Sequence, residues 1–346
     1  MHARDRRRSA ATATAVALLT MLALSACSPT PIGGAAAPGP SDTPLALVGF
    51  AVPKAAHDEA QKAFAATEAG SGTSWTTSYG ASGDQSRAVA NGLDADVVHF
   101  SLEGDVTRLV DAGLVADTWD DGEHKGIISD SVVVLVVREG NPKNIHGWDD
   151  LLRDDVSIVT PNPGSSGSAR WNILGAYGSV VANGGTEADG EAYLRTFFDN
   201  VAALPGSGRD ATTAFTSGTG DVLISYENEA ILARQQGETF EYVVPDATLL
   251  IENPAAVLVD ADPRGQKYLD FVLSPEGQTI FASKGFRPVV DVGDITVEGA
   301  NDPASPFPAP SKLFTIADLG GWSDVNAKFF ADDGLVTRIQ QEKGAS

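Results

Sequence analysis

Apolar residues along this chain follow two alternating spacings. Short β-branched runs such as LALVGFA (45–51), ADVVHF (95–100) and VSIVTPN (156–162) read as strands. The stretches after them place apolar residues three or four apart and read as helices: HDEAQKAFAA, DVTRLVDAGL, and a segment from about Ala169 to Ala182. SWTTSYG leads in the same way into ASGDQSRAVANGL, where Ser82 occupies the expected N-cap position ahead of Val89 and Leu93. DSVVVLVVREGNP is the longest β-branched run. It is too uniformly apolar for a surface strand and is expected to pass through the middle of the molecule. Beyond it, EAYLRTFFDNVAAL reads as a helix, PGSGRDATTAFTSG as a loop entering a helix, and GDVLISYENEAILARQQG as a strand running into a helix. ENPAAVLVD reads as a return strand, and KYLDFVLSPEGQTIFASKGFRPV as two helices broken at Ser274-Pro275. Such strand–helix alternation, without internal repeat, predicts an α/β protein with largely parallel sheets.

The N-terminus departs from this rhythm. MHARDRRRSA is basic and ATATAVALLTMLAL apolar, at the length of a secretory signal rather than a membrane span. It ends Leu24-Ser25-Ala26-Cys27, a spacing that resembles a bacterial lipobox, in which the cysteine becomes the lipidated first residue of the mature chain. Cys27 is the only cysteine, so no disulfide can form within the chain. Residues 1–26 are therefore read as a lipoprotein signal peptide, and 27–43, rich in Pro, Gly, Ala and Ser, as a flexible tether. The roughly 300 residues that follow exceed what one core usually organises, and two lobes are expected.

Charge narrows the possible partners. The chain carries −22, and removal of the basic signal makes the mature part more acidic still. Nucleic acid needs a basic stripe, and none is visible. A small anion would have to be held by local dipoles instead of the overall field. YGASGDQ (79–85), NPGSSGSARW (162–171) and PGSGRDA (205–211) are three loops suited to hold one in that way. Each ends a strand in small residues and starts a helix at once, where glycine allows close approach and the first amides lack intrahelical partners. Taken singly, such loops are ordinary chain punctuation. Together, at the carboxyl ends of strands, they lie where α/β lobes gather ligands.

The segments SYGASGDQSRAV, VVREGNPKNIHGWDDLL, VTPNPGSSGSARWN, GDVLISYENEA, SPEGQ, GFRPV and LFTIADLGGW resemble, in order and spacing, the sulfate-binding proteins of bacterial ABC importers, most closely the lipid-anchored actinobacterial type. The resemblance spans about 45–333. It implies a two-lobe periplasmic-binding-protein fold of type II, with 44–137 plus 247–346 as one lobe and 138–246 as the other. The crossovers are expected at Val132–Val137 and just before Glu252. It also implies sulfate bound by the backbone N–H groups of Ala51, Ser82, Gly167, Ser168 and Gly208, with the Ser166 hydroxyl and a donor from Tyr226. Arg170 and Arg209 match arginines that brace the loops from behind. The implied partners are a membrane permease with a separate ATPase, since this chain has no P-loop, and the membrane itself through lipid on Cys27. The expected state is a monomer on the extracytoplasmic face, with no metal or other cofactor.

Such a donor set suits sulfate, which is fully deprotonated at neutral pH and needs no acceptor. Hydrogen phosphate keeps a proton that an all-donor site would leave clashing, at roughly 1–3 kcal/mol. Gly164 replaces a common Lys and Ser168 a common Gly, changes that keep the amides. Tyr226 replaces the commoner Trp, exchanging an obligate donor for a group that can also accept. Asp84 and Asp210, just inside the loops' helices, are read as solvated and dipole-stabilised rather than as ligands.

A phosphate- or molybdate-type binding protein is the nearest rival, and a non-transport envelope lipoprotein a weaker one. An enzyme is disfavoured. Ser166 in GSSGS lacks the glycine two residues on that a nucleophile elbow needs, and His57, His99, His124 and His146 share no metal-like spacing and read as surface or turn residues.

Overall fold

The computed structural model describes residues 43–344, so the signal segment, Cys27 and the tether up to residue 42 lie outside the described residues. The elements run β1 (Leu45–Phe50), α1 (Lys54–Ala66), β2 (Trp75–Gly80), α2 (Ser82–Ala90), β3 (Val97–His99), α3 (Glu103–Asp111) and β4 (Ile127–Arg138). They continue as β5 (Ile158–Val159), α4 (Gly167–Ala182), α5 (Glu187–Asp199), β6 (Val201–Ala203), α6 (Gly208–Thr216), β7 (Val222–Tyr226), α7 (Glu227–Gln235) and β8 (Phe240–Val243). The last are β9 (Ala247–Val257), α8 (Arg264–Val272), α9 (Pro275–Ser283), β10 (Lys312–Phe314), α10 (Gly321–Val325) and α11 (Leu335–Lys343).

Two parallel sets of strands are joined by two long antiparallel ones. β1 pairs in parallel with β2 and β3, and β5 pairs in parallel with β6 and β7. β4 pairs antiparallel with β9 as far as Val132↔Leu250, then with β7 from Val133↔Tyr226 onward. β9 correspondingly pairs with β3 at its far end, Ala255–Val257. The long apolar run thus changes partner in mid-strand, and Val132–Val137 are all buried because helices or strands cover them on every side. The whole is an α/β fold with a curled mixed sheet, of the two-lobe type.

Four details differ from the sequence reading. Residues 201–203 form strand β6 rather than the end of a helix. Asn200 ends α5 and donates its side-chain amide to the carbonyls of Leu151 and Arg153, at 2.7 and 2.9 Å, turning the chain onto β5. The N-cap of α2 is Ala81, with extended backbone, and Ser82 is the first helical residue. His57 and His99 are fully buried, not at the surface: each is an aromatic filler of the first core, hydrogen-bonded Nε2 to Nδ1 at 2.8 Å, with His57 Nδ1 2.7 Å from the Tyr268 hydroxyl.

The fourth difference is the tail. The expected first lobe held all of 247–346, and α8 and α9 do pack on α1. The chain from 312 on instead covers α4 and α5. Trp322 meets Trp171 edge-on at 4.8 Å, Phe329 meets Tyr177 at 4.7 Å, and Glu342 pairs with Arg195 at 2.5 Å. The reason is visible in α4, whose residues from Gly167 to Ser179 are nearly all buried. A helix apolar all round needs cover on its outer side as well as against the sheet.

Candidate functional site

The three glycine-serine loops do converge. A small cavity is lined by the ends of β1 and β2, the starts of α2, α4 and α6, and Ser101 after β3. No charged side chain lines it. Ser82, Gly167, Ser168 and Gly208 are first or second residues of their helices, so no intrahelical carbonyl lies one turn before their amides. Three helix N-termini on one cavity sum their dipoles there, each contributing about 0.3–1 kcal/mol toward an anion.

Local chemistry holds these loops in place. Asn162 accepts from Gly164 N–H through its side chain at 2.8 Å and from Ser166 N–H through its carbonyl at 2.9 Å, while its own N–H donates to Pro205 at 2.8 Å. The Ser165 hydroxyl donates to the Gly206 carbonyl at 2.8 Å, tying the second loop to the third. Ser166, the N-cap of α4, shares a 2.7 Å hydrogen bond with the Ser168 hydroxyl. One of the two protons is thereby used internally and one remains to give. Ser207 caps α6 by accepting from Asp210 N–H at 3.1 Å and donating to the Asp210 carboxylate at 2.7 Å. Asp210 is thus a cap partner on the exposed side, and Asp84 pairs with Arg87, so neither carboxylate enters the cavity.

The cavity also joins the two halves of the molecule. A Cβ on Gly167 would lie 2.6 Å from Ser101 Oγ and 2.8 Å from Leu102 Cγ, and a Cβ on Gly208 would lie 3.5 Å from Val52 Cγ2. The Trp171 indole donates to the Ser101 carbonyl at 2.8 Å across the same seam. The halves are therefore in closed contact around the cavity.

Not every expected residue stands as the sequence reading had it. Ala51 lines the cavity, but its N–H donates to the Gly80 carbonyl at 2.9 Å. The next residue, Val52, also lines it, and its N–H has no hydrogen-bond partner among the described residues. Tyr226 ends β7 fully buried, with its hydroxyl 2.8 Å from Ser101 Oγ, and it is Ser101 rather than Tyr226 that lines the cavity. Burial pushes the Tyr226 phenol far above its ordinary range, so it stays neutral. Arg170 and Arg209 lie behind the loops. Arg170 donates to the Pro163 carbonyl at 3.3 Å and to Asn326 at 2.8 Å. Arg209 forms a two-pronged pair with buried Glu229, at 2.6 and 3.1 Å, and reaches the Val52 carbonyl at 3.5 Å. Burial raises the Glu229 carboxyl, and the Arg209 charge opposes that rise.

Ser101 and Val52 are the residues that sequence reasoning missed. Neither lies in a glycine-serine loop. Their one signal is position, at or just beyond the carboxyl end of a parallel strand.

Known proteins resemble this chain over most of its length. The family model for bacterial extracellular solute-binding proteins matches residues 45–287. A sulfate-binding protein of Synechococcus elongatus is 41% identical, over 97% of both chains. A thiosulfate-binding protein of Pseudomonas aeruginosa is 34% identical over 89% of this chain and 94% of its own. The solved structure of the sulfate-binding protein SubI of Mycobacterium tuberculosis H37Rv superposes with a TM-score of 0.77 at 46% identity, over 83% of this chain and 99% of that one.

Proposed function

Since this chain belongs to the bacterial extracellular solute-binding proteins, we propose that it captures sulfate, and thiosulfate with it, outside the cytoplasm and delivers it to an ABC importer. One observation carries the choice of ligand. Three helix N-termini and five serines surround a small cavity that no charged side chain lines. A fully ionised anion finds donors there, whereas hydrogen phosphate finds no carboxylate to take its proton.

The donors in this proposal are the amides of Ser82, Gly167, Ser168 and Gly208 and the Ser166 hydroxyl, with Val52 N–H in place of the engaged Ala51. Arg170 and Arg209 hold the loops without touching the anion. The hinge lies where β4 and β9 exchange partners, near Val132 and Leu250, so that Val52 and Ser82 close from one lobe and the other donors from its counterpart. An anion then favours the closed form because only that form completes the set. Cys27 carries the lipid that keeps a monomeric protein at the membrane, and the protein performs no chemistry on its ligand.

Calorimetric titration of the purified protein with sulfate, thiosulfate, phosphate and molybdate tests this reading. Heat with sulfate and none with phosphate is expected. Heat with phosphate or molybdate alone would transfer the protein to the rival oxyanion class, and silence for all four would favour an envelope lipoprotein without transport.

A further inference from the structure

Ser101 is held through its N–H, its carbonyl and its hydroxyl oxygen, and only its hydroxyl proton is left unassigned. Its N–H donates to Ser82 Oγ at 2.9 Å. Its carbonyl accepts from the Trp171 indole at 2.8 Å and from the Asn253 side-chain amide at 3.1 Å. Its hydroxyl lies 2.8 Å from that of Tyr226, and beside Gly167, whose amide is one of the proposed donors. Ser82 Oγ cannot compete for a ligand, because it accepts from Ser101 and donates to the Asp105 carboxylate at 2.6 Å.

Two hydroxyls at this separation share one proton, in one of two directions. If Ser101 donates to Tyr226, a serine lone pair faces the cavity and the site can accept a proton. If Tyr226 donates to Ser101, the serine proton faces the cavity and the site only gives. The direction is set by burial. Tyr226 is fully buried and Ser101 Oγ is the one group within hydrogen-bond distance of its hydroxyl among the described residues, so a phenol proton turned away from Ser101 would go unpaired, at the full cost of desolvating it. Each bond in such a chain polarises the next and makes the terminal hydroxyl a better donor.

We propose that Ser101 is the hydroxyl through which the first lobe reads the anion, and that Tyr226 forms a directed relay behind it, donating to Ser101, that keeps the cavity donor-only. Ser101 is the specificity-determining residue and Tyr226 a positioning one. This rests on the sulfate reading above, and it removes the ambiguity of having an amphiprotic phenol near the site: Tyr226 meets the anion only through Ser101, with its own direction already fixed.

The test is a double-mutant cycle read with two anions. Ser101→Ala, Tyr226→Phe and the double variant, each lacking only oxygen atoms, are titrated with sodium sulfate and with sodium phosphate at pH 8, and thermal unfolding confirms that each is folded. Ser101→Ala should weaken sulfate by about tenfold, the value of one good donor. Tyr226→Phe should weaken sulfate less and raise the phosphate-to-sulfate affinity ratio, because an unconstrained Ser101 can turn and accept. In the double variant the loss should equal that of Ser101→Ala alone. Additive losses would mean that Tyr226 acts independently of Ser101, and an unchanged anion ratio in Tyr226→Phe would mean that the relay does not set specificity. Either result overturns this inference while leaving sulfate binding intact. Absence of sulfate binding in the unmodified protein would instead overturn the functional reading on which it rests.

Discussion

Gly167 carries the tightest steric demand in the cavity. Any side chain there would meet Ser101 Oγ and Leu102 Cγ inside 3 Å, so Gly167→Ala should hold the lobes apart. Sulfate affinity is expected to fall by tenfold or more, with little change in the melting temperature of the ligand-free protein. Unchanged affinity would show that the lobes close by some other path. Ser166→Ala tests donation instead of shape, and calorimetry should show a loss of about 1–3 kcal/mol in sulfate binding with the fold intact. Residues at this scale were unevenly legible. Ser166, Gly167, Ser168 and Gly208 announce themselves, because helix starts rich in small residues are visible in a linear chain. Val52 was displaced by one position, since which amide is free depends on Ala51 pairing with Gly80, a partner 29 residues away. Ser101 was invisible for the same reason: its role comes from Tyr226, Trp171 and Asn253, which only the fold brings to it.

Among elements, β4 and β9 define the hinge, and a carboxyl sits within it. Asp130 on β4 faces Glu252 on β9 and pairs backbone to backbone with Arg287, yet its Oδ1 has no partner among the described residues. Burial, and then the charge of Glu252, pushes it up to about 7, with Arg287 opposing. The native state therefore holds a proton that the unfolded chain releases near pH 4. The stability this provides is complete below the ordinary carboxylate range and is lost as pH rises through about 7. Asp130→Asn mimics the protonated form permanently. At pH 8 it should raise the melting temperature by about 2–4 °C, the effect of ~1 kcal/mol in a chain of this size, and at pH 5 the difference should shrink toward zero. A gain that is equal at both pH values would point to packing, not to charge. The order of strands and helices was readable from hydrophobic spacing. Tail packing was not, although the all-apolar α4 demanded a cover, because the sequence does not say which segment supplies it.

For the molecule as a whole, two buried imidazoles set the acid limit. Burial pushes His57 down to about 3, and burial together with its neighbour His57 lowers His99 well below the usual value. Both stay neutral in the fold and take up protons on unfolding. Stability should thus be complete above about pH 6.5 and decline as pH falls toward 3, the reverse of the Asp130 contribution. Denaturant midpoints measured in the Asp130→Asn background, free of that opposing carboxyl, should drop across this window. A flat profile would mean that the histidines protonate in place at no cost. Composition gave no hint of this, because a buried histidine and an exposed one look alike until the helix and strand that carry them are packed together.

Closure, hinge and donor set meet in a single claim, that sulfate is held between the lobes by uncharged donors alone. The structure of the sulfate-loaded protein tests it most directly. The anion should sit at the starts of α2, α4 and α6, with its oxygens within roughly 3.2 Å of amides and hydroxyls only, Val52, Ser101 and Ser166 among them. An anion bound elsewhere, or one touched by a guanidinium, an ammonium or a carboxylate, would contradict it.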